Sequence, residues 1–347
     1  MPEAATTAAN ADRARLEPFG EFITLAHGNG GRLTRELVEA VFAHHFGGTL
    51  DTGLDAVPLP VPDGEIVVTT DGFIVEPLVF PGGTIGSLAV NGTVNDLAVA
   101  GATPLHLTLN AFIEEGLEIA SLDRLVADAA ATARDNGVGL VAGDTKVVRR
   151  GEGGGLYLGM TGVGTRPRGV QLAARRVRLG DRLLVSGPVG DHGAAVLLAR
   201  EQFGLQGQLR SDCASILPIA QALLGIDGLR FMRDPTRGGL ATVAHDIVRA
   251  SGLGVRLVEA DIPVSEPVSG VCDILGFDPL MLACEGRVLS VLSPQSAPAA
   301  LAAMRDAGCR EAAIIGTVVE EPIVAVVTEV GERLVEELEH DPLPRIC

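Results

Sequence analysis

The 347-residue chain has no tryptophan, one tyrosine and ten phenylalanines, so it offers few aromatic platforms on which bases could stack. Its 27 basic and 44 acidic side chains give a formal net charge of -17, which repels phosphate backbones and anionic lipid. Nucleic acid and membrane surfaces are therefore not expected as partners. Hydrophobic residues make up 47% of the chain, yet no uninterrupted apolar run approaches the length of a transmembrane helix. The five cysteines, at 213, 272, 284, 309 and 347, are odd in number and lack CxxC spacing, which argues against a disulfide framework or a zinc knuckle. Residues 1–18 lack a secretory signal, so residues 1–20 read as a disordered leader and a cytoplasmic location is expected. Lysine occurs once, at Lys146, which leaves 26 of the 27 basic residues as arginine. A lone lysine in such a chain points to a position that needs a compact ammonium.

Dividing the length by roughly 150 residues per domain predicts about two domains. The basic cluster Arg166-Pro167-Arg168-Gly169 marks a change of character, giving domains 21–165 and 166–330 and a flexible tail 331–347. In the first half, the glycine loop His27-Gly28-Asn29-Gly30-Gly31 feeds a helix over 34–42. Segments 66–70 and 73–80 read as strands separated by an Asp71-Gly72 turn, and 84–100 as a buried helix carrying Asn91, Asn95 and Asp96. Further strands fall at 105–112, 138–142 and 156–163, with a helix over 122–134 and a flexible hairpin end at 151–155. Strands and helices alternate irregularly through the second half, so the layout is α+β. Pro342 and Pro344 keep the tail extended, and its length lets it reach a site anywhere on its own domain pair.

Three carboxylates with small neighbours stand out: Asp71, Asp96 and Asp144. Mg2+ takes a few such oxygens together with phosphates and water, and Lys146 would add a point charge for a transferring phosphoryl group. A Walker loop is excluded, because the sole lysine lies in Gly143-Asp144-Thr145-Lys146. Asp234-Pro235-Thr236-Arg237-Gly238-Gly239 opens a helix with amides exposed to an anion, and Gly190-Asp191-His192-Gly193 has the same character. Cys347 places a nucleophile at the tip of an extended arm; its own carboxylate discourages the thiolate and Arg345 opposes that field. The same residues also read as an Asp-Gly turn, helix caps and an incidental terminal thiol.

Together, the loop at His27, Thr70-Asp71-Gly72, Asn91-Gly92-Thr93-Val94-Asn95-Asp96-Leu97-Ala98, Gly143-Asp144-Thr145-Lys146, the Asp234 loop and the terminal Pro344-Arg345-Ile346-Cys347 resemble the HypE family of hydrogenase maturation proteins. That family lies within the wider aminoimidazole ribonucleotide synthetase-like and selenophosphate synthetase-like group, and the terminal Pro-Arg-Ile-Cys narrows the resemblance. The resemblance implies a two-domain, PurM-like α+β fold, a homodimer joined through the N-terminal domains, and ATP with Mg2+. It implies that Cys347 receives a carbamoyl group from a HypF-type carbamoyltransferase, that ATP drives its dehydration to a thiocyanate, and that the cyanide passes to iron on a HypC-HypD scaffold. By the same resemblance Cys347, Lys146 and Glu285 are catalytic, with Glu285 the base. Gly30, Gly31, Asp71, Asn95, Asp96, Asp144, Thr145, Lys146, Thr236 and Arg237 would bind nucleotide, and Asp71, Asp96 and Asp144 the metal. Family members often carry Asn where this chain has Cys284. The competing readings are a small-molecule ATP-dependent synthetase or kinase of the same group, and a thiol-bearing scaffold without catalysis.

Overall fold

A computed structural model of the chain describes residues 14–52, 54, 56–200, 209–339, 343, 345 and 346. Residues 1–13 of the expected leader, Pro344 and the reactive-thiol candidate Cys347 lie outside the described residues. Residues 15–19 of that leader are held in place. Arg15 pairs with Asp123 at 2.9 Å, and Leu16 and Phe19 pack on the first-domain core.

The glycine loop leads into α1 (Arg32–Leu37), a π-helical turn (Val38–Ala43) and α2 (His44–Phe46). Then come β1 (Glu65–Phe73), the short pair β2 (Val79–Phe80) and β3 (Gly83–Thr84), α3 (Ile85–Val99), β4 (Thr103–Glu114), α4 (Ile119–Asp135), β5 (Gly139–Val148) and β6 (Leu156–Arg166). The main sheet has the order β1-β6-β4-β5, with β4 and β5 parallel and the other pairs antiparallel. Leu107, Leu109, Ala111 and Ile113 alternate inward along β4, the period-2 pattern of a strand covered on one face. A Thr84–Ser87 capping box starts α3. This helix lies so close to α4 that a Cβ on Gly86 would stand 2.2 Å from the Leu125 carbonyl oxygen.

Two local expectations change. Asp71-Gly72 is no turn: both residues lie inside β1, opposite Met160 and Gly159. An edge strand tolerates this turn-forming dipeptide because one side of its backbone faces solvent. Segment 151–155 is no hairpin end either, because β4 separates β5 from β6. The Glu114 carboxylate holds that connection by accepting from the Gly151 and Gly155 amides at 2.6 and 3.0 Å.

The second domain contains β7 (Arg182–Val185), α5 (Asp191–Ala199), α6 (Leu217–Leu224), β8 (Leu229–Arg233), α7 (Gly239–Ser251), β9 (Gly254–Val258), α8 (Glu266–Leu275), β10 (Leu289–Leu292), α9 (Ala297–Asp306), β11 (Ala313–Val319), β12 (Val324–Thr328) and β13 (Gly331–Leu334). Its sheet order is β13-β12-β9-β11-β7-β10-β8. Leu240, Val243 and Ile247 of α7 cover one face, against Val185, Val255 and Leu257. Ile219 and Leu223 of α6 and Met304 of α9 cover the other, against Leu184 and Met232. Residues 331–334, expected in a free tail, form the edge strand β13 paired with β12. Among the described residues, no helix is long and apolar enough to cross a membrane.

Candidate active site

The junction of the two domains gathers acids. Asp71 comes from β1, Asp96 from α3, Asp234 from the loop after β8, and Glu285 from the segment before β10. Their mutual repulsion registers in their protonation. Burial pushes Glu285 well above the usual carboxylate range, and the charges of Asp234, Asp212, Asp71 and Asp96 add to the rise. Burial, helped by Asp96, raises Asp234 to about 7. Burial also raises Asp96, opposed by the Thr69 hydroxyl, which donates to Asp96 Oδ2 at 2.6 Å. The nearest cation to Asp71 is Arg237, at 3.8 Å.

Glu285 is 2% exposed, and its Oε1 has no hydrogen-bond partner. A buried polar atom left unpaired costs roughly 1–3 kcal/mol, so its retention marks a place where a ligand completes the bonding. The surrounding scaffold fixes the backbone that carries this carboxyl. Asp212 accepts from the Glu285 and Gly286 amides at 3.0 and 3.2 Å. The Asp234 loop is pinned to the same segment, since the Cys284 amide donates to the Pro235 carbonyl at 2.9 Å. Gly239, at φ +58, lets that loop turn into α7: a Cβ there would stand 2.5 Å from the Leu282 carbonyl oxygen.

Asn95 has a different place from the one expected. It is 1% exposed, its amide donates to the carbonyls of Ala214 and Glu285 at 3.0 and 3.3 Å, and its oxygen accepts from the Ile216 amide at 2.9 Å. Its polar atoms therefore stitch the domains together and hold the Glu285 backbone. Thr145 is likewise 7% exposed and turned towards the core. Thr236 is half-buried and Arg237 exposed at the rim of the acid cluster.

A second group of residues lies apart. Lys146 pairs with Asp144 at 2.7 Å on β5, both side chains more than half exposed. The glycine loop rests on the same strand, where a Cβ on Gly28 would meet the Val147 amide nitrogen at 2.4 Å. Gly30 and Gly31 are exposed just beyond it, their amides donating to Thr34 and Asn29. β5 and β1 are opposite edges of the four-stranded sheet, about 14 Å apart at three strand spacings. Register puts them on different faces too. Asp71 pairs with Met160 and hence Leu109, whereas Asp144 pairs with Asn110. One chain alone therefore does not bring Asp144 and Lys146 to Asp71 and Asp96. Among the described residues, no three acidic, His or Cys side chains are arranged to hold a metal ion. The acid cluster nonetheless suits a hard cation that takes one or two protein carboxylates and completes its shell with phosphate oxygens and water.

The tail returns to this junction. Leu343 and Ile346 are buried with α5 and Phe80, Arg345 pairs with Glu76 at 3.3 Å, and the Ile346 carbonyl lies 2.7 Å from His192 Nε2. Sequence reasoning singled out the loops that hold Asp234 and His192 only as anion-binding helix entries, without a role for either side chain, and did not single out Asp212.

Fold and site together define an AIR synthase related protein. The N-terminal domain model of that family matches residues 53–166, and its C-terminal domain model matches residues 178–329. The carbamoyl dehydratase HypE of Azotobacter vinelandii is 43% identical over 340 residues, covering 96% of this chain and all of the relative. The chain belongs to the HypE family of carbamoyl dehydratases. The crystal structure of hydrogenase maturation protein HypE in complex with ATP superposes with a TM-score of 0.88 at 39% identity, covering 93% of this chain and 99% of that one. The HypE–HypF complex aligns at 40% identity and a TM-score of 0.76, covering 79% of this chain and 90% of that one. Thiamine monophosphate kinase from Aquifex aeolicus, at 19% identity and a TM-score of 0.57, shares the fold alone.

Proposed function

We propose that the chain uses ATP to dehydrate an S-carbamoyl group carried on its own Cys347 to a thiocyanate, the source of cyanide for the iron of nickel-iron hydrogenase. The observation that carries this reading is the buried carboxyl of Glu285, its Oε1 without a partner, at the domain junction to which the tail returns. An amide oxygen is a poor leaving group. ATP with Mg2+, when bound, supplies the phosphoryl group that makes it a good one. The C–O bond then breaks, the oxygen departs with phosphate, and the nitrogen gives up two protons, one to Glu285 and one to the departing phosphate, as the C≡N bond forms.

Glu285 takes a proton from that nitrogen, a role for which a base must lie within hydrogen-bond reach. Burial is the larger cause of the raised Glu285 carboxyl; positive charge bound beside Asp71 and Asp96 would offset the part that comes from their repulsion and so favour its basic form. Asp71 and Asp96 are the carboxylates suited to the metal, Thr236 and Arg237 line the rim, and burial around Glu285 excludes water.

Asp144 and Lys146 enter through a homodimer. The sheet face that carries them also exposes Ile66, Val68 and Phe112, at 58, 60 and 43%. An apolar sheet face left open on one chain is covered well by its own copy. A second copy laid against it brings its Asp144, Lys146, Gly30 and Gly31 to the rim at Asp71, which unites the two groups around one nucleotide. A HypF-type carbamoyltransferase loads Cys347, and a HypC-HypD scaffold receives the cyanide. The test is ATP consumption by the Cys347→Ala chain in the presence of the carbamoyltransferase. Nucleotide binding should persist with carbamoyl-dependent turnover lost. Full turnover on a free metabolite would contradict the reading.

A further inference from the structure

Ile346 immediately precedes the thiol-bearing residue, and its carbonyl is held by one buried side chain. His192 is wholly buried near the start of α5, with Nε2 2.7 Å from the Ile346 oxygen and Nδ1 2.8 Å from Ser211 Oγ. A carbonyl only accepts, so Nε2 must carry the proton. Burial lowers His192 to about 4, so the ring is neutral and Nδ1 is an acceptor. The Ser211 hydroxyl therefore donates to Nδ1, while its oxygen accepts from the Cys213 amide at 3.0 Å. Every donor in this chain has an acceptor, and only one tautomer satisfies them all. The Phe80 ring stands edge-on to the imidazole at 5.4 Å and fixes its plane.

The same short segment also fixes the base. Asp212, next to Ser211, accepts from the Glu285 amide, and the Gly193 amide, next to His192, donates to the Ala283 carbonyl at 3.0 Å. Ser211, which orients the tail's anchor His192, and Asp212, which holds the Glu285 backbone, are thus adjacent residues on one backbone.

We propose that His192, held in its Nε2–H tautomer by Ser211, is a positioning residue that clamps the Ile346 carbonyl and so presents the group on Cys347 to Glu285. This deepens the dehydratase reading and rests on it for the purpose of the clamp, but the clamp itself can be measured without turnover. Arg200 assists from the rim, donating to the carbonyls of Glu76 and Arg345.

The experiment is iodoacetamide labelling of the full chain, read on the Glu-C peptide 340–347 by mass spectrometry, alongside single-turnover dehydration of the carbamoylated chain. His192→Ala should raise the labelling rate of Cys347 about tenfold, the factor for loss of one buried hydrogen bond, and slow dehydration by a similar factor with ATP affinity unchanged. His192→Gln, whose terminal amide N–H reaches the position of Nε2–H, should restore both rates. His192→Asn, one methylene shorter, should not. If His192→Ala fails to fold, the Gln–Asn comparison decides. Equal labelling of wild type, Gln and Asn chains overturns the clamp. The predicted labelling differences among the variants, with a wild type that never dehydrates its carbamoyl group, would overturn the dehydratase reading and leave the clamp standing.

Discussion

The acids at the domain junction and the acid on β5 meet their charge in opposite ways. Asp234 and Glu285 are buried among other carboxylates, and their protonation rises because burial strips their charged forms of water and neighbouring acids add repulsion, which Arg233 offsets only in part at Asp234. Asp144, by contrast, sits in water against Lys146 at 2.7 Å and is already neutralised. A fold does not keep several buried acids together for stability, since each costs free energy unless paired. The junction is therefore suited to receive positive charge and a proton donor, while the β5 pair already carries its own countercharge. In the proposed homodimer, that contrast makes the site a property of two chains.

The largest effect is expected at the junction. Glu285→Gln should slow dehydration of the carbamoylated chain by about 10²- to 10⁴-fold, the usual worth of a positioned base. The same variant should melt at a higher temperature, because an unpaired buried acid is gone. A rate within tenfold of wild type would remove Glu285 from the chemistry.

Next comes a complementation test of the two-group arrangement. Lys146→Ala and Asp71→Asn chains should each be inactive alone. Reassorted together they should regain about a quarter of wild-type activity, because half the dimers are mixed and each of those holds one intact site. No recovery would mean that both residues serve the same protomer's site.

Smaller effects appear in stability. His192 is lowered from 6.5 to about 4 in the folded chain, so between those values the folded state binds fewer protons than the unfolded state. Stability should fall as pH drops from 6.5 towards 4, by on the order of 3 kcal/mol from a shift of 6.5 - 4 = 2.5 units. His192→Gln should lack that slope in urea titrations. Asp234 has the opposite sign. Raised from 3.8 to about 7, it contributes stability below 3.8 that is lost as pH rises through 7. Asp234→Asn should therefore gain most over wild type at pH 8. The smallest change belongs to the exposed β5 pair, where Asp144→Asn should alter stability by less than about 1 kcal/mol while impairing turnover.

Much of the junction was legible in the sequence. Asp71 and Asp96 stand in short motifs with small neighbours, Glu285 was named through the family resemblance alone, and helical spacing placed Asn95 and Asp96 on a buried helix. Reading Asp71-Gly72 as a turn failed because pairing with β6 overrides the local preference of that dipeptide. Asn95 was expected to touch nucleotide, but whether a buried amide faces a ligand or a neighbouring backbone depends on tertiary contacts with Ala214 and Ile216. The His192 clamp joins residues 154 apart in the chain, beyond the reach of any local pattern. The separation of Asp71 from Asp144 follows from strand order, which spacing along the chain does not encode.

The most direct measurement follows the mass of the peptide 340–347 after the full chain is incubated with a HypF-type carbamoyltransferase, carbamoyl phosphate and ATP. The account predicts addition of one carbamoyl group at Cys347 followed by loss of one water, with the second step absent in Glu285→Gln. ATP consumption with the mass of that peptide unchanged would contradict it.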